Sequence, residues 1–219
     1  MIANIIELFS HHQVILYVIC SFFVGAIPFG LILTKISGYG DIRKIGSGNI
    51  GATNVLRTGN KLLAILTLFL DISKSFIILY LVKINYELIL QENLLIYLYV
   101  FISLLSLLGH MFSPFLSFKG GKGIATAAGI LFFINWIIAV FTLFIWLITV
   151  IRFKTSSLGA LSASFISPFL FWFLYKSNFI EYTKISVLEV YLVLLITILI
   201  WIKHIPNIKR LIRGTESKI

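Results

Sequence analysis

The run IATAAGILFFINWIIAVFTLFIWLITVI, residues 124–151, decides how this chain is threaded. It is longer than one crossing needs, because about twenty apolar residues cover a hydrocarbon core of roughly 30 Å. As one helix it makes six spans and places the loop before it, Lys119-Gly-Gly-Lys-Gly123, across the membrane from the loop after it, Arg152–Thr155. As a hairpin turning near Asn135 it makes seven, and every strongly basic segment then shares one side. Under the hairpin, fourteen Lys and Arg lie on that side and three in the two opposite loops, with Lys74 inside a span. The positive-inside rule makes the basic side cytoplasmic, with the N-terminus outside and the C-terminus inside. The first arm is short: at about 1.5 Å per residue, Ile124–Ile134 covers only about half of the bilayer. The reading predicts a half-helix whose N-terminus points at the lysine–glycine loop.

The rest of the chain fits that frame. Of its 219 residues, 59% are hydrophobic and 12% charged, with a mean hydropathy of +1.04. Soluble domains carry about 25% charged residues, so this is an all-α integral membrane protein. The other spans read as Val14–Thr34, which Gly25 and Pro28 can bend, Leu62–Val82, Asn93–Leu116, Ser156–Tyr175 and Ser186–Ile202. Residues 1–13 hold no Lys or Arg, and the apolar run after them is too long for a signal peptide, so it reads as a first span that stays. No repeat, linker or boundary divides residues 1–219, which read as one transmembrane domain. A net charge of +10 without a polar domain to display it points to anionic headgroups or anionic substrates rather than nucleic acid. The lone Cys20 excludes an internal disulfide, and no His, Cys or carboxylate cluster has metal-ligand spacing.

Three polar segments carry the candidate chemistry. In Gly109–Gly129 an apolar run breaks at Pro114 and opens into Lys119, Gly120, Gly121, Lys122 and Gly123 before a helix restarts at Ile124. Glycine N–H groups, a helix N-terminus and two lysines favour a phosphate. Leu116 stands where a P-loop needs its first Gly, so this is not a Walker A loop, and a plain turn is the competing reading. In Asp41–Lys61, Gly46, Gly48 and Gly51 relax the backbone. Ser47, Asn49, Thr53 and Asn54 offer hydrogen bonds, and Arg57 offers a planar fork. A solvated loop competes equally there. In the tail, Lys209, Arg210 and Arg213 suit anionic lipid, while His204 and Asn207 suit phosphate binding or proton transfer. Ser156, between Thr155 and Ser157, reads as a helix cap or a ligand. Asp71 and Lys74, three apart on one helix face, read as an ion pair ordering the bundle, and His110 as a hydrogen-bonded histidine at a helix end.

Convergence of these segments on one membrane face suits an enzyme joining a polar solute to a lipid chain. A transporter places its site at the midplane. The rival readings are a small-anion transporter and a lipid-binding scaffold without turnover.

Ser47-Gly-Asn-Ile-Gly-Ala-Thr-Asn-Val-Leu-Arg57, Gly109-His110 with Phe118–Thr126, and His204 with Asn207–Leu211 resemble the three motifs of the PlsY family, the bacterial acyl-phosphate:glycerol-3-phosphate acyltransferases. Ser156–Ala160 and the Asp71/Lys74 spacing resemble it too. Ile205 and Pro206, where the family has polar or charged residues, and Ser75, where it has Gly, depart from it. The resemblance implies a multi-pass protein of the bacterial cytoplasmic membrane with its site facing the cytoplasm. It would move a long-chain acyl group from acyl phosphate to the sn-1 hydroxyl of sn-glycerol 3-phosphate, giving lysophosphatidate and phosphate without cofactor or metal. A soluble acyl-phosphate-producing enzyme is then a candidate partner beside membrane lipids. Ser47, Gly48, Asn49, Arg57, Lys122, His204 and Asn207 would form a phosphate pocket. The Lys119–Gly123 loop would hold the other phosphate or the oxyanion. Either loop suits either phosphate, and His204 or a phosphate oxygen of the donor suits the general base.

Overall fold

The computed structural model describes residues 2–177 and 185–219. Among these the regular structure is helical: α1 (Ile2–Ser10), α2 (His12–Ala26), α3 (Phe29–Ile36), α4 (Ala52–Leu56), α5 (Lys61–Tyr86), α6 (Glu92–Met111), α7 (Ile124–Ile134), α8 (Trp136–Phe153), α9 (Ser156–Ser177), α10 (Val187–Lys203) and α11 (Ile205–Ile212). Among the described residues four helices are long and apolar enough to cross a membrane. The count is six if the bent pairs α1–α2 (93°) and α10–α11 (61°) each make one span. Of the residues assigned to the opposite loops, Lys184 lies outside the described residues.

The 124–151 run is not one helix. It breaks at Asn135, whose backbone is extended (φ −152°, ψ 101°) and whose side chain caps α8 by accepting from Ile138 N–H at 3.0 Å. An Asn here satisfies a helix-start donor that an apolar residue would leave bare. The first expected span breaks at Pro28, one of the two residues expected to bend it. Val14–Thr34 is two helices, parted at Ile27–Pro28, because Pro cannot donate to the ladder and pushes the residue before it out of helical geometry. The sequence reading also missed α1, which turns back to bury Leu8 in the main core and pack Phe9 edge-on to Phe101, ring centroids 5.3 Å apart.

Large apolar residues cover the outer face as well as the core, while small polar ones turn inward. Phe141, Phe144, Phe169 and Phe173 are exposed, while Thr67, Ser75, Ser103 and Ser106 are buried. In lipid there is no hydrophobic force between helices, so small residues set the close contacts. A Cβ on Gly25 of α2 would fall on the Ser106 carbonyl of α6, and one on Gly109 of α6 on the Phe22 carbonyl of α2. Likewise Gly129 of α7 seats on Ile72 of α5, where the Ser75 hydroxyl donates to the Thr126 carbonyl at 2.7 Å.

At the heart of the bundle Lys74 Nζ donates to Asp71 Oδ1 (2.8 Å), His110 Nδ1 (2.8 Å) and the Ile27 carbonyl (3.3 Å) that the α2–α3 break sets free. The two charged side chains are 1% and 3% exposed. One ammonium thus ties three elements together, because the Asp71 carboxylate and His110 Nδ1 would otherwise be buried unpaired.

Candidate active site

Four basic segments meet at one end of the bundle. Arg57, at the end of α4, donates to Ser217 Oγ of the tail at 2.5 Å. Ile219 N–H donates to the carbonyl of Lys154, in the loop between α8 and α9, at 2.8 Å. Thr53 and Ser156 hydroxyls lie 3.0 Å apart, joining α4 to α9. Lys203 Nζ donates to the Met111 carbonyl at 2.8 Å and sits 4.6 Å above the Phe112 ring, tying the end of α10 to the entrance of the lysine–glycine loop.

These contacts surround a cavity of about 200 Å³. Ser47, Asn49, Thr53, Asn54, Arg57, Lys122, Gly123, Ser156, His204 and Asn207 all line it, so residues from four distant stretches come together. Below this polar mouth the same cavity continues between α5, α7, α8, α9 and α10 along Leu68, Leu131, Ala139, Trp146, Ala163 and Val193. A polar mouth continuous with an apolar groove accommodates an amphiphile.

The local chemistry is set loop by loop. Asn54 was expected among the substrate donors, but it works inside its own loop. Its amide Nδ2 donates to the carbonyls of Ile42 (3.0 Å), Ile45 (2.9 Å) and Asn49 (2.8 Å), while Oδ1 accepts from Ser47 N–H at 3.0 Å. That staple folds the glycine-rich segment so that Ser47 and Arg57 share one rim. Gly48 stays at the exposed edge of the loop with φ +71°.

In the second loop, the expectation of free glycine N–H groups is corrected at two positions. Gly120 N–H donates to the Met111 carbonyl at 3.2 Å and Gly121 N–H to the His110 carbonyl at 3.0 Å. Gly121 lies flat on the His110 imidazole, where a Cβ would collide with Nε2. These glycines lay the loop against the end of α6, and Lys119 is exposed outside the cavity. What faces the cavity is Lys122, Gly123 and the first turn of α7, whose N–H groups have no intrahelical partners. Gly123 makes the turn with φ +82°. Desolvation brings the Lys122 ammonium down to about 8, with Glu216 opposing that shift and Arg210 and Arg57 adding to it.

In the tail, His204 Nδ1 donates to the Ile200 carbonyl at 2.8 Å, which leaves Nε2 as the acceptor. Burial lowers this histidine to about 4, so the ring is neutral at pH 7. The residue that sequence reasoning missed is Glu216. Its carboxylate accepts from Ser157 Oγ (2.7 Å), Asn207 Nδ2 (2.6 Å) and Arg210 Nε (2.6 Å). Burial raises its pKa, but those three donors outweigh burial and hold it below the usual range. The signal was a single acid in a basic tail. Ile205 and Pro206, the family departures, are exposed and open α11, so they leave His204 and Asn207 in place.

A family model for glycerol-3-phosphate acyltransferases matches residues 15–214. The chain belongs to the glycerol-3-phosphate acyltransferase family. A glycerol-3-phosphate acyltransferase of Mesorhizobium japonicum is 43% identical over 208 residues, 95% of this chain and 97% of the relative. One from Wolbachia pipientis subsp. Culex pipiens is 43% identical, covering 91% of this chain and 95% of its own. The crystal structure of PlsY, an integral membrane glycerol 3-phosphate acyltransferase, in its glycerol 3-phosphate form superposes with a TM-score of 0.81. It has 33% identity and covers 94% of this chain and 96% of that one. Its lysophosphatidic acid form gives 0.79 and 32%, covering 94% and 95%. The protein is therefore a multi-pass membrane acyltransferase of phospholipid synthesis, and the transporter reading has no support among these relatives.

Proposed function

We propose that this acyltransferase uses a long-chain acyl phosphate as donor and the sn-1 hydroxyl of sn-glycerol 3-phosphate as acceptor, at the cytoplasmic face of a bacterial inner membrane. The observation that carries the reading is the shape of the cavity, a cationic mouth running without interruption into an apolar groove. Both substrates bear phosphate, and their mutual repulsion must be overcome in one small site. Arg57 and Lys122 supply full charge there. Ser47, Asn49, Thr53 and Ser156 supply hydrogen bonds, and the α7 N-terminus supplies a positive dipole end.

In the step itself the sn-1 oxygen attacks the acyl carbonyl carbon and the carbon–oxygen bond to phosphate breaks. The α7 N-terminus and Lys122 face the oxygen that gains charge. An imidazole as weakly basic as that of His204 is poorly matched to proton abstraction near neutrality. Its free Nε2 instead orients the hydroxyl, and the proton leaves on the departing inorganic phosphate. An acyl phosphate is already activated, so positioning and charge neutralisation carry most of the rate. Seven spans are read by counting α2–α3 as one and α7 and α8 as a hairpin. The meeting of Lys122, Lys154 and Arg57 at one end supports that count, because a straight run from Ile124 to Ile151 would separate them. The excess of Lys and Arg at this end supports an outside N-terminus and a cytoplasmic C-terminus, within reach of a soluble donor-producing enzyme.

The test is turnover by purified protein in detergent, with glycerol 3-phosphate and either acyl phosphate, acyl-CoA or acyl-carrier-protein thioester. Lysophosphatidate and phosphate should form from the first alone. Turnover with a thioester and none with acyl phosphate overturns the donor assignment.

A further inference from the structure

The apolar groove stops short of the far end of the bundle, and its lower end identifies a specificity residue. Along α9 the cavity wall runs from Ser156 to Ser167, and along α10 from His204 to Val193, with Ala139 of α8 deepest on a third side. Either helix therefore descends about 16 Å at its ordinary rise. One turn further down, the wall stops. Phe171 of α9, 0% exposed, packs with Ile138 of α8 and Val190 of α10 in a closed cluster, and none of these three touches the cavity.

The hydroxyls near the end give the groove no polar floor. Ser167 Oγ donates to the Ser164 carbonyl at 3.0 Å, Thr142 Oγ1 to the Ala139 carbonyl at 2.9 Å, and Thr197 Oγ1 to the Val193 carbonyl at 2.9 Å. Hydroxyls satisfied by helix carbonyls present carbon to the groove. A saturated chain therefore gains from every methylene it inserts, until it meets the Phe171 ring.

We propose that Phe171 is the stop that sets the longest acyl chain the enzyme accepts. The inference rests on the reading of this groove as the acyl-donor site. Below the limit, each added methylene should raise kcat/KM roughly fourfold if its transfer energy is realised in the transition state. Beyond it, the next methylenes have no room and the rise stops.

The experiment is kcat/KM over a ladder of saturated acyl phosphates, with glycerol 3-phosphate saturating. Wild type should climb and then break off at one length. Phe171→Ala should move the break about two carbons longer, so that a chain two carbons beyond the wild-type limit gains roughly fifteenfold relative to the shorter ones. Ser167→Leu, which fills the floor from above, should move it shorter and serves if the Phe171 variant fails to fold. A position of the break is a readout that general destabilisation does not shift. A wild-type profile without a break, or a break unmoved in whichever variant folds, overturns the proposal while leaving the reaction intact. Failure of wild type with acyl phosphates of every length overturns the reaction itself.

Discussion

Replacing Lys74 by Met removes the ammonium that joins α5, α6 and the α2–α3 break, and leaves its neighbours in place. Three acceptors lose a donor at once: the Asp71 carboxylate at 2.8 Å, His110 Nδ1 at 2.8 Å and the Ile27 carbonyl at 3.3 Å. Both members of the pair are buried. Removing one partner of such a pair costs about 3–5 kcal/mol, most of it the uncompensated charge left behind. Lys74→Met should therefore fall near the top of that range. Asp71→Leu combined with Lys74→Met removes both charges and leaves one neutral orphan, His110 Nδ1, at about 1 kcal/mol by the lower figure for an unsatisfied group, because the Ile27 carbonyl keeps its bond from Phe29 N–H at 3.2 Å. The double variant should then be more stable than the Lys74 single, at a net cost of about 1 kcal/mol. Unfolding by denaturing detergent in mixed micelles, followed through the four tryptophans, measures all variants. A Lys74→Met cost below about 1 kcal/mol, or a double variant equal to the sum of the singles, would refute the claim that the pair is a buried, coupled unit.

Further outcomes follow from the same geometry. Lys122 titrates near 8 in the folded protein against 10.5 for a free lysine, so the folded form sheds its proton first. Between those pH values the unfolded chain binds the extra proton and stability rises with pH, while kcat/KM, which needs the ammonium, falls; opposite trends in unfolding and activity assays check this. Glu216→Gln keeps the tail's shape but loses the charge on which Ser157, Asn207 and Arg210 converge. It should cost about 2 kcal/mol in unfolding and loosen Arg57 through Ser217, raising KM for glycerol 3-phosphate. Gly109→Ala sets a methyl on the Phe22 carbonyl, so the α2–α6 pair must part. A loss of about 1–3 kcal/mol or more is expected in thermal unfolding.

Membership of the membrane class, the positions of the polar segments and the break at Asn135 were legible in the chain because each is local. Apolar length, the side of the basic loops and a single helix-capping Asn in a long run need no partner to be read. The family motifs likewise named His204, Arg57 and Lys122, which line one cavity. What no local pattern carries is which donor meets which acceptor. Asn54 looked like a ligand and is the staple of its own loop. Gly120 and Gly121 looked like an anion cradle and lie against the end of α6. Glu216, which the sequence reading passed over, gathers three side chains.

The sequence by itself determined that the chain lives in a bilayer, where it turns, and which residue types gather at its basic end, because hydropathy and charge act residue by residue. The tertiary structure alone decided that the gathered residues open onto an apolar groove between α5, α7, α8, α9 and α10, and that one lysine holds three elements in register. Both depend on contacts between residues far apart in the chain, whose pairing is set by packing and by the need to satisfy every buried polar group.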